Sequence, residues 1–133
     1  IIGLDCKTYP WKFSHQKKRR SRSKSAPHQA AISFLLQIFP GTTVMEEVTI
    51  PGASSMYLDI YLPLIPLAVE VHGRQHYEHV PFFHKSKAEF LLSQKRDKDK
   101  AAWADLNDIP LVVLPYNQEA NWWQLINSVI SQD

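Results

Sequence analysis

The 133-residue chain reads as an α/β sandwich with a mixed sheet. Three observations predict this. An apolar run at helical spacing follows Pro27. Three β-branched runs then follow one another, separated by Pro- and Gly-containing turns. Last, a long helical stretch precedes the short apolar run Leu111–Leu114, which is bracketed by Pro110 and Pro115. A three-strand meander followed by a helix and a returning strand closes as such a sandwich. The long helix is then the crossover to a parallel fourth strand.

In chain order, residues 1 to 26 have no clear period and read as a basic N-terminal arm or linker, ahead of a body over 27 to 133. Tyr9, Pro10, Trp11 and Phe13 dock an aromatic patch on that body or belong to an upstream module. The first helix begins near Pro27 with Ser25 as N-cap, carries Ala31, Ile32, Leu35, Leu36 and Phe39 at helical spacing, and ends at Pro40-Gly41. From Val44 to Ile50, Val44, Glu46, Val48 and Ile50 alternate with Met45, Glu47 and Thr49, as on a strand. After the Pro51-Gly52 turn, Met56–Tyr61 and Leu67–Gly73 form a hairpin across Pro63-Leu-Ile-Pro66. Residues 73 to 86 are irregular and rich in histidine. The long helix spans Lys87 to Asn107, with Leu91, Leu92, Trp103 and Leu106 as its buried candidates. A last helix over Asn121 to Ser131 places Trp122, Leu125, Ile126 and Val129 on one face. No internal repeat is visible.

Size and composition fit one globular domain with a true core: 44% of residues are hydrophobic and 21% charged. No apolar run is long enough for a membrane span. A first residue of Ile reads as a fragment or a processed chain, and Ile1–Leu4 is too short for a secretory signal core. The single cysteine, Cys6, excludes an internal disulfide and a multi-cysteine zinc site, and fits a reducing, intracellular setting. Charge is uneven. Lys17, Lys18, Arg19, Arg20, Arg22 and Lys24 put six positive charges in eight residues, leaving nine basic against thirteen acidic residues elsewhere. A basic arm on a mildly acidic body suits contact with nucleic-acid phosphates, the plainer alternative being a solvated linker.

Side chains alternate along a strand, so Glu70 and His72 share one face, with Leu67, Val69 and Val71 on the other. By the same rule Tyr57, Asp59 and Tyr61 share a face opposite Leu58 and Ile60. The hairpin brings Asp59 to Glu70 and His72 at one end of the sheet. Two carboxylates beside an imidazole, set in apolar strands, are costly to bury unless they bind a cation or one another. That grouping suits a divalent metal and a nucleophilic water. The plainer alternatives are a solvent-facing charge at Asp59 and a hydrogen-bonded structural histidine at His72.

This order, with Asp59 on the second strand and Glu70-Val71-His72 on the third, resembles the PD-(D/E)XK nucleases. Leu58 stands where that motif usually has Pro, and His72 where it usually has Lys. His72-Gly73 resembles the very-short-patch repair endonuclease branch. The resemblance is more extended to the related EDxHD homing endonucleases of phage genomes. It runs over residues 25 to 118 through Glu46-Glu-Val48, Tyr57–Tyr61, Glu70-Val-His-Gly-Arg-Gln-His-Tyr77, Pro81-Phe-Phe-His84, Lys95-Arg-Asp97 and Leu114-Pro-Tyr116.

The resemblance implies a restriction-endonuclease-like α-β-β-β-α-β core with a mixed four-stranded sheet, and Mg²⁺-dependent cleavage of double-stranded DNA, with Mn²⁺ able to substitute. Asp59 would be the central metal ligand, Glu70 a second, and the Val71 carbonyl a third group facing the ion. His72 would be the general base or would orient the water. Glu47 is a candidate extra acid, and Glu46 then points the other way. Gln75 and His76 would reach the scissile phosphate. Arg74, Lys95, Arg96 and Lys100 would contact phosphate alongside the basic arm, with Asp97 orienting one of them or a water. The helix charges also suit an ordinary solvated face. His79 and His84 match no zinc-ligand spacing. Phe82 and Phe83 suit a wedge between base steps or the core. His28 and Gln29 are weaker candidates, and the Glu that superfamily members often carry on the first helix is missing.

The function expected is therefore the catalytic domain of a site-specific homing endonuclease, in a bacterial cytoplasm if phage-encoded. A mismatch-repair nickase or restriction-type enzyme shares this chemistry, and a non-cleaving nucleic-acid-binding module is the alternative from another class. Cutting both strands requires a homodimer or sequential nicks.

Overall fold

The computed structural model describes residues 1–11, 25–52, 56–74, 77–78 and 86–131. Helix α1 (Ala26–Ile38) starts where expected. Ser25 Oγ accepts the His28 N–H at 3.3 Å, and Pro27 occupies the first turn, where its missing N–H costs nothing. Ala31 and Leu35, one turn apart, form its buried face, with Ile32 and Phe39 at the margin; Leu36, expected inside, is exposed.

Strands β1 (Met45–Thr49), β2 (Tyr57–Leu62) and β3 (Leu67–His72) make an antiparallel meander. Helix α2 (Lys87–Leu106) crosses over to β4 (Leu111–Pro115), which lies parallel to β3. A 3-10 turn (Glu119–Asn121) leads into α3 (Trp122–Ile130). The sheet order is β1-β2-β3-β4. The mixed four-stranded sheet expected from the sequence is thus present. Its β3, flanked by strands on both edges, is buried along its whole length.

Two cores cover the two faces. On one, α1 and α3 pack Leu35, Trp122 and Ile126 on Leu67, Val69, Val71, Val112 and Leu114. On the other, Trp103 and Ala104 of α2 pack on Val48, Leu58, Tyr61 and Ala68. Alternation along β3 follows the period-2 rule. Along β2 it does not: Leu58 joins the α2 core whereas Ile60 joins the α1–α3 core. The phase slips at Asp59. Directly across from it, between the pairs Glu46↔Ile60 and Val48↔Leu58, Glu47 holds a φ of 49°, a left-handed conformation uncommon outside glycine.

Helix α2 also departs from expectation. Leu91, Leu92 and Leu106 are 54%, 53% and 47% exposed, and Trp103 and Ala104 are its buried residues. At helical spacing the sheet-facing stripe runs through Asp97, Lys100, Trp103 and Ala104, so Leu91 and Leu106 are turned away from the sheet. Its apolar end covers the α2 core and its polar end covers Glu70 and His72.

Residues 1–11 are docked on the body. Asn107 accepts the Ile2 N–H at 2.6 Å and donates to the Ile2 carbonyl at 2.8 Å. The Trp11 ring lies 4.8 Å from Tyr61 and 5.4 Å, edge-on, from Trp103, which is the aromatic docking anticipated for Trp11. Gly3 and Gly52 meet so closely that a Cβ on Gly52 would lie 2.6 Å from the Gly3 Cα. No helix of the described residues is long and apolar enough to cross a membrane.

Trp103→Ala should lower unfolding free energy by about 3–5 kcal/mol, and Leu91→Ala by less than about 0.5 kcal/mol. Urea denaturation of the two variants checks the assignment of the α2 faces, and equal losses would refute it.

Candidate active site

The β2–β3 ladder ends early. Its pairs are Leu62↔Leu67, Tyr61↔Ala68 and Ile60↔Val69. One step further the register would set Asp59 opposite Glu70, and there side chains replace the ladder. The Asp59 N–H donates to Glu70 Oε2 at 2.7 Å, and the Val71 N–H donates to Asp59 Oδ2 at 2.9 Å. Each acid thus satisfies a main-chain donor of the opposing strand.

Glu70 is 3% exposed. Its second oxygen, Oε1, lies 2.6 Å from the Lys100 ammonium, which reaches down from the polar end of the α2 stripe. Burial, and then the Asp59 carboxylate, push the Glu70 acid up to about 7, against the pull of Lys100 and of the Asp59 N–H. A buried pair of this kind is costly to break on one side, because the remaining charge is left unpaired.

His72 is held from both sides. Its Nε2 lies 3.7 Å from Asp97 Oδ1, and its Nδ1 lies 3.4 Å from the Tyr77 hydroxyl. Burial, then Asp97 and Tyr116, raise the Tyr77 phenol, so it stays protonated and can donate to Nδ1. With the phenol as donor, the proton of a neutral His72 sits on Nε2, facing Asp97. The Tyr77 ring stands against both His72 and Tyr116, and the His72 carbonyl accepts the Tyr116 N–H at 2.8 Å. Asp97 thus faces His72 across from the third strand.

The structure pairs Asp59 with Glu70 and His72 with Asp97, and Val71 contributes its N–H to Asp59. Glu47 lies across from Asp59, but among the described residues no three His, Cys, Asp or Glu side chains are grouped to hold a metal. Arg74 is exposed and paired with Glu78, and Lys95 is exposed beside Asp99 at 3.8 Å. Arg96 is exposed as well. Lys17, Lys18, Arg19, Arg20, Arg22, Lys24, Gln75, His76, His79, Phe82, Phe83 and His84 lie outside the described residues. Glu46 does point away from Glu47, toward α1, where it meets the buried His28 Nε2 at 2.9 Å.

The sequence places Lys100 among the phosphate contacts, whereas the structure makes it the partner of Glu70. The available signal was its place midway between Asp97 and Trp103 at intervals of three, on the stripe that a buried Trp defines. Two carboxylates suit a hard, hydrated ion such as Mg²⁺, which takes few protein ligands and keeps waters. Asp59 Oδ1 has no hydrogen-bond partner among the described residues, which leaves it available to such an ion.

The chain is similar to proteins of two invertebrate iridescent viruses and of Frog virus 3. It is 38% identical over 65 residues to uncharacterized protein 307L of Invertebrate iridescent virus 6, covering 49% of this chain and 33% of the relative. It is 35% identical over 63 residues to uncharacterized protein 033L of Invertebrate iridescent virus 3, covering 47% of this chain and 32% of the relative. Against uncharacterized protein 094L of Frog virus 3 the identity is 31% over 104 residues, covering 77% of this chain and 67% of the relative. The chain belongs to the 094L family. It spans about a third of the 307L and 033L proteins. No protein-family model matches it, and no solved structure does. With relatives named for invertebrate and frog viruses, the bacterial host expected from the phage-type resemblance is not supported.

The raised Glu70 acid carries a stability signature. Its folded value of about 7 lies above the ordinary 4.5, so the folded state retains the proton longer than the unfolded state. This contribution is fully present below pH 4.5 and is lost as pH rises to about 7. Thermal melts should therefore show a downward slope across this window that is shallower in Glu70→Gln. Identical slopes would contradict the assignment.

Proposed function

We propose that this chain is a metal-dependent DNA endonuclease domain with the restriction-endonuclease-like core of the very-short-patch branch. The observation that carries this reading is the splayed end of β2 and β3. There Asp59 and Glu70 interlock, Lys100 sits on one acid, and the Asp97–His72–Tyr77 row stands alongside. The nucleic-acid partner is inferred from the basic run Lys17–Lys24 and the homing-type function from the resemblance in residues 25 to 118. An intracellular setting accords with the single, exposed Cys6.

Asp59 would hold a Mg²⁺ ion, with Glu70 assisting directly or through water. Mn²⁺ would serve in its place. The bound ion supplies charge neutralisation at the scissile phosphate and acidifies its water. The protein supplies the proton acceptor. The Tyr77–Nδ1 contact of 3.4 Å is long, and that nitrogen is the one able to take a proton from the attacking water once the phenol gives way. Asp97 then steadies the imidazolium from the Nε2 side, as a buried acid does for a catalytic histidine. Lys100 would orient Glu70 beside Asp59 and favour its charged form against the effect of burial. The basic run would follow the DNA backbone, positioning the site without reading sequence. Cutting of both strands would come from a homodimer or from two successive nicks.

Incubation of supercoiled plasmid with the protein and Mg²⁺ tests the proposal. Nicked or linear DNA is expected, with loss of product in Asp59→Ala and a fall of about 10²–10⁴-fold in His72→Ala. A parent protein that shifts DNA in a gel yet leaves it intact over a range of metal concentrations would show a binding module instead.

A further inference from the structure

Helix α2 turns a second stripe away from the sheet. Ala88, Leu92, Lys95, Asp99, Ala102 and Leu106 follow one another at alternating steps of four and three, the spacing that keeps one seam of a helix facing a partner helix. This seam lies on the side of α2 away from Asp97, Lys100 and Ala104. It is open: Leu92 and Leu106 are 53% and 47% exposed, and the Lys95 and Asp99 side chains 73% and 38%. Leu91, also exposed, widens its apolar end.

The seam has the same character read in either direction. Ala88 and Leu106 are equidistant from Asp97 along the helix, and so are Leu92 and Ala102, and Lys95 and Asp99. Two copies of α2 laid antiparallel about that midpoint set each leucine against an alanine, which lets the helices approach closely. The same placement sets each Lys95 against the other copy's Asp99. A parallel pair would set lysine against lysine and aspartate against aspartate, so the charges select the antiparallel one. Within one copy Lys95 and Asp99 are 3.8 Å apart, an exposed pair that is worth little by itself and is easily traded for a partner's. Arg96 and Lys98 flank the seam, where they stay in water.

We infer that the outer face of α2 is a self-association surface, on which two copies of this chain pair antiparallel about Asp97. A single helix pair is a small contact beside the roughly 1,200 Å² or more of a stable dimer, so the association is weak, with a dissociation constant on the order of 10–100 µM. It supplies a surface for the homodimer that cutting both DNA strands would use, yet it stands on α2 alone, whether or not the chain is a nuclease.

Sedimentation velocity of the full chain, without DNA or metal, from about 5 µM to about 1 mM is the test, and a monomer–dimer equilibrium is expected. Leu92→Glu and Leu106→Glu, both at exposed positions, should each weaken it about tenfold or more. Lys95→Asp and Asp99→Lys should each weaken self-association, and an equimolar mixture of the two should recover it, because every seam charge then meets its opposite. In a Cys6→Ser background, Ala88→Cys should cross-link on oxidation to Leu106→Cys in a mixture, and not to itself. A chain monomeric at every concentration would leave this face to some other partner and overturn the inference. Dimers indifferent to both leucine variants, or a cross-link of Ala88→Cys to itself, would overturn it as well. None of these outcomes touches the nuclease reading, which plasmid cleavage decides separately.

Discussion

The buried contact between Lys100 and Glu70 is the constraint on which the site's geometry depends. An acid 3% exposed in the central strand of a sheet needs a partner, because an unpaired charge there costs several kcal/mol in desolvation. That partner comes from α2, the crossover between β3 and β4. Joining the two fixes the rotation of α2 about its axis, with Lys100 over Glu70 and Asp97 over His72. It also sets Trp103, one turn further along, onto Leu58, Tyr61 and Ala68. One ion pair therefore links the polar end of the sheet to the apolar core on the same face.

The second element is the opening of the β2–β3 pair. Where the ladder stops after Ile60↔Val69, Asp59 and Glu70 each accept the main-chain N–H that the other strand presents. The phase slip at Asp59, with Glu47 left-handed across from it, accompanies this opening. A continuous ladder would seal the sheet. An open end, closed by carboxylates, leaves Asp59 Oδ1 available to solvent species or an ion. The opposite face carries none of this: α1 and α3 cover it with aliphatic side chains and Trp122, and its own polar pair, His28 with Glu46, is satisfied between α1 and β1.

Kinship with the 094L family establishes relatives and not chemistry, since their names describe no activity. The functional argument therefore rests on the site. It combines a carboxylate pair with an available oxygen, an imidazole backed by an acid and a phenol, and a buried ammonium. The proposed phosphodiester hydrolysis would use such a set, because it needs charge neutralisation, a proton acceptor and a positioned water more than it needs a covalent nucleophile.

Much of this fold was legible in the sequence because local rules govern it. Ser25 with Pro27 marks a helix start, Pro-Gly turns separate the strands, and period-2 alternation puts Glu70 and His72 together against Leu67, Val69 and Val71. The pairing of Asp59 with Glu70 followed from the shortness of the hairpin. What the sequence could not decide was anything set by contact between distant segments. Leu91, Leu92 and Leu106 look buried by composition, yet the face of α2 is chosen by Lys100 seeking Glu70 and by Trp103 seeking the sheet. The slip at Asp59 breaks an alternation that no local pattern flags. Asp97 meets His72 because the crossover sets it over the third strand. Residue type and spacing determined which groups could meet. Tertiary packing decided which of them did, because burying a charge is tolerable only where another segment brings its partner.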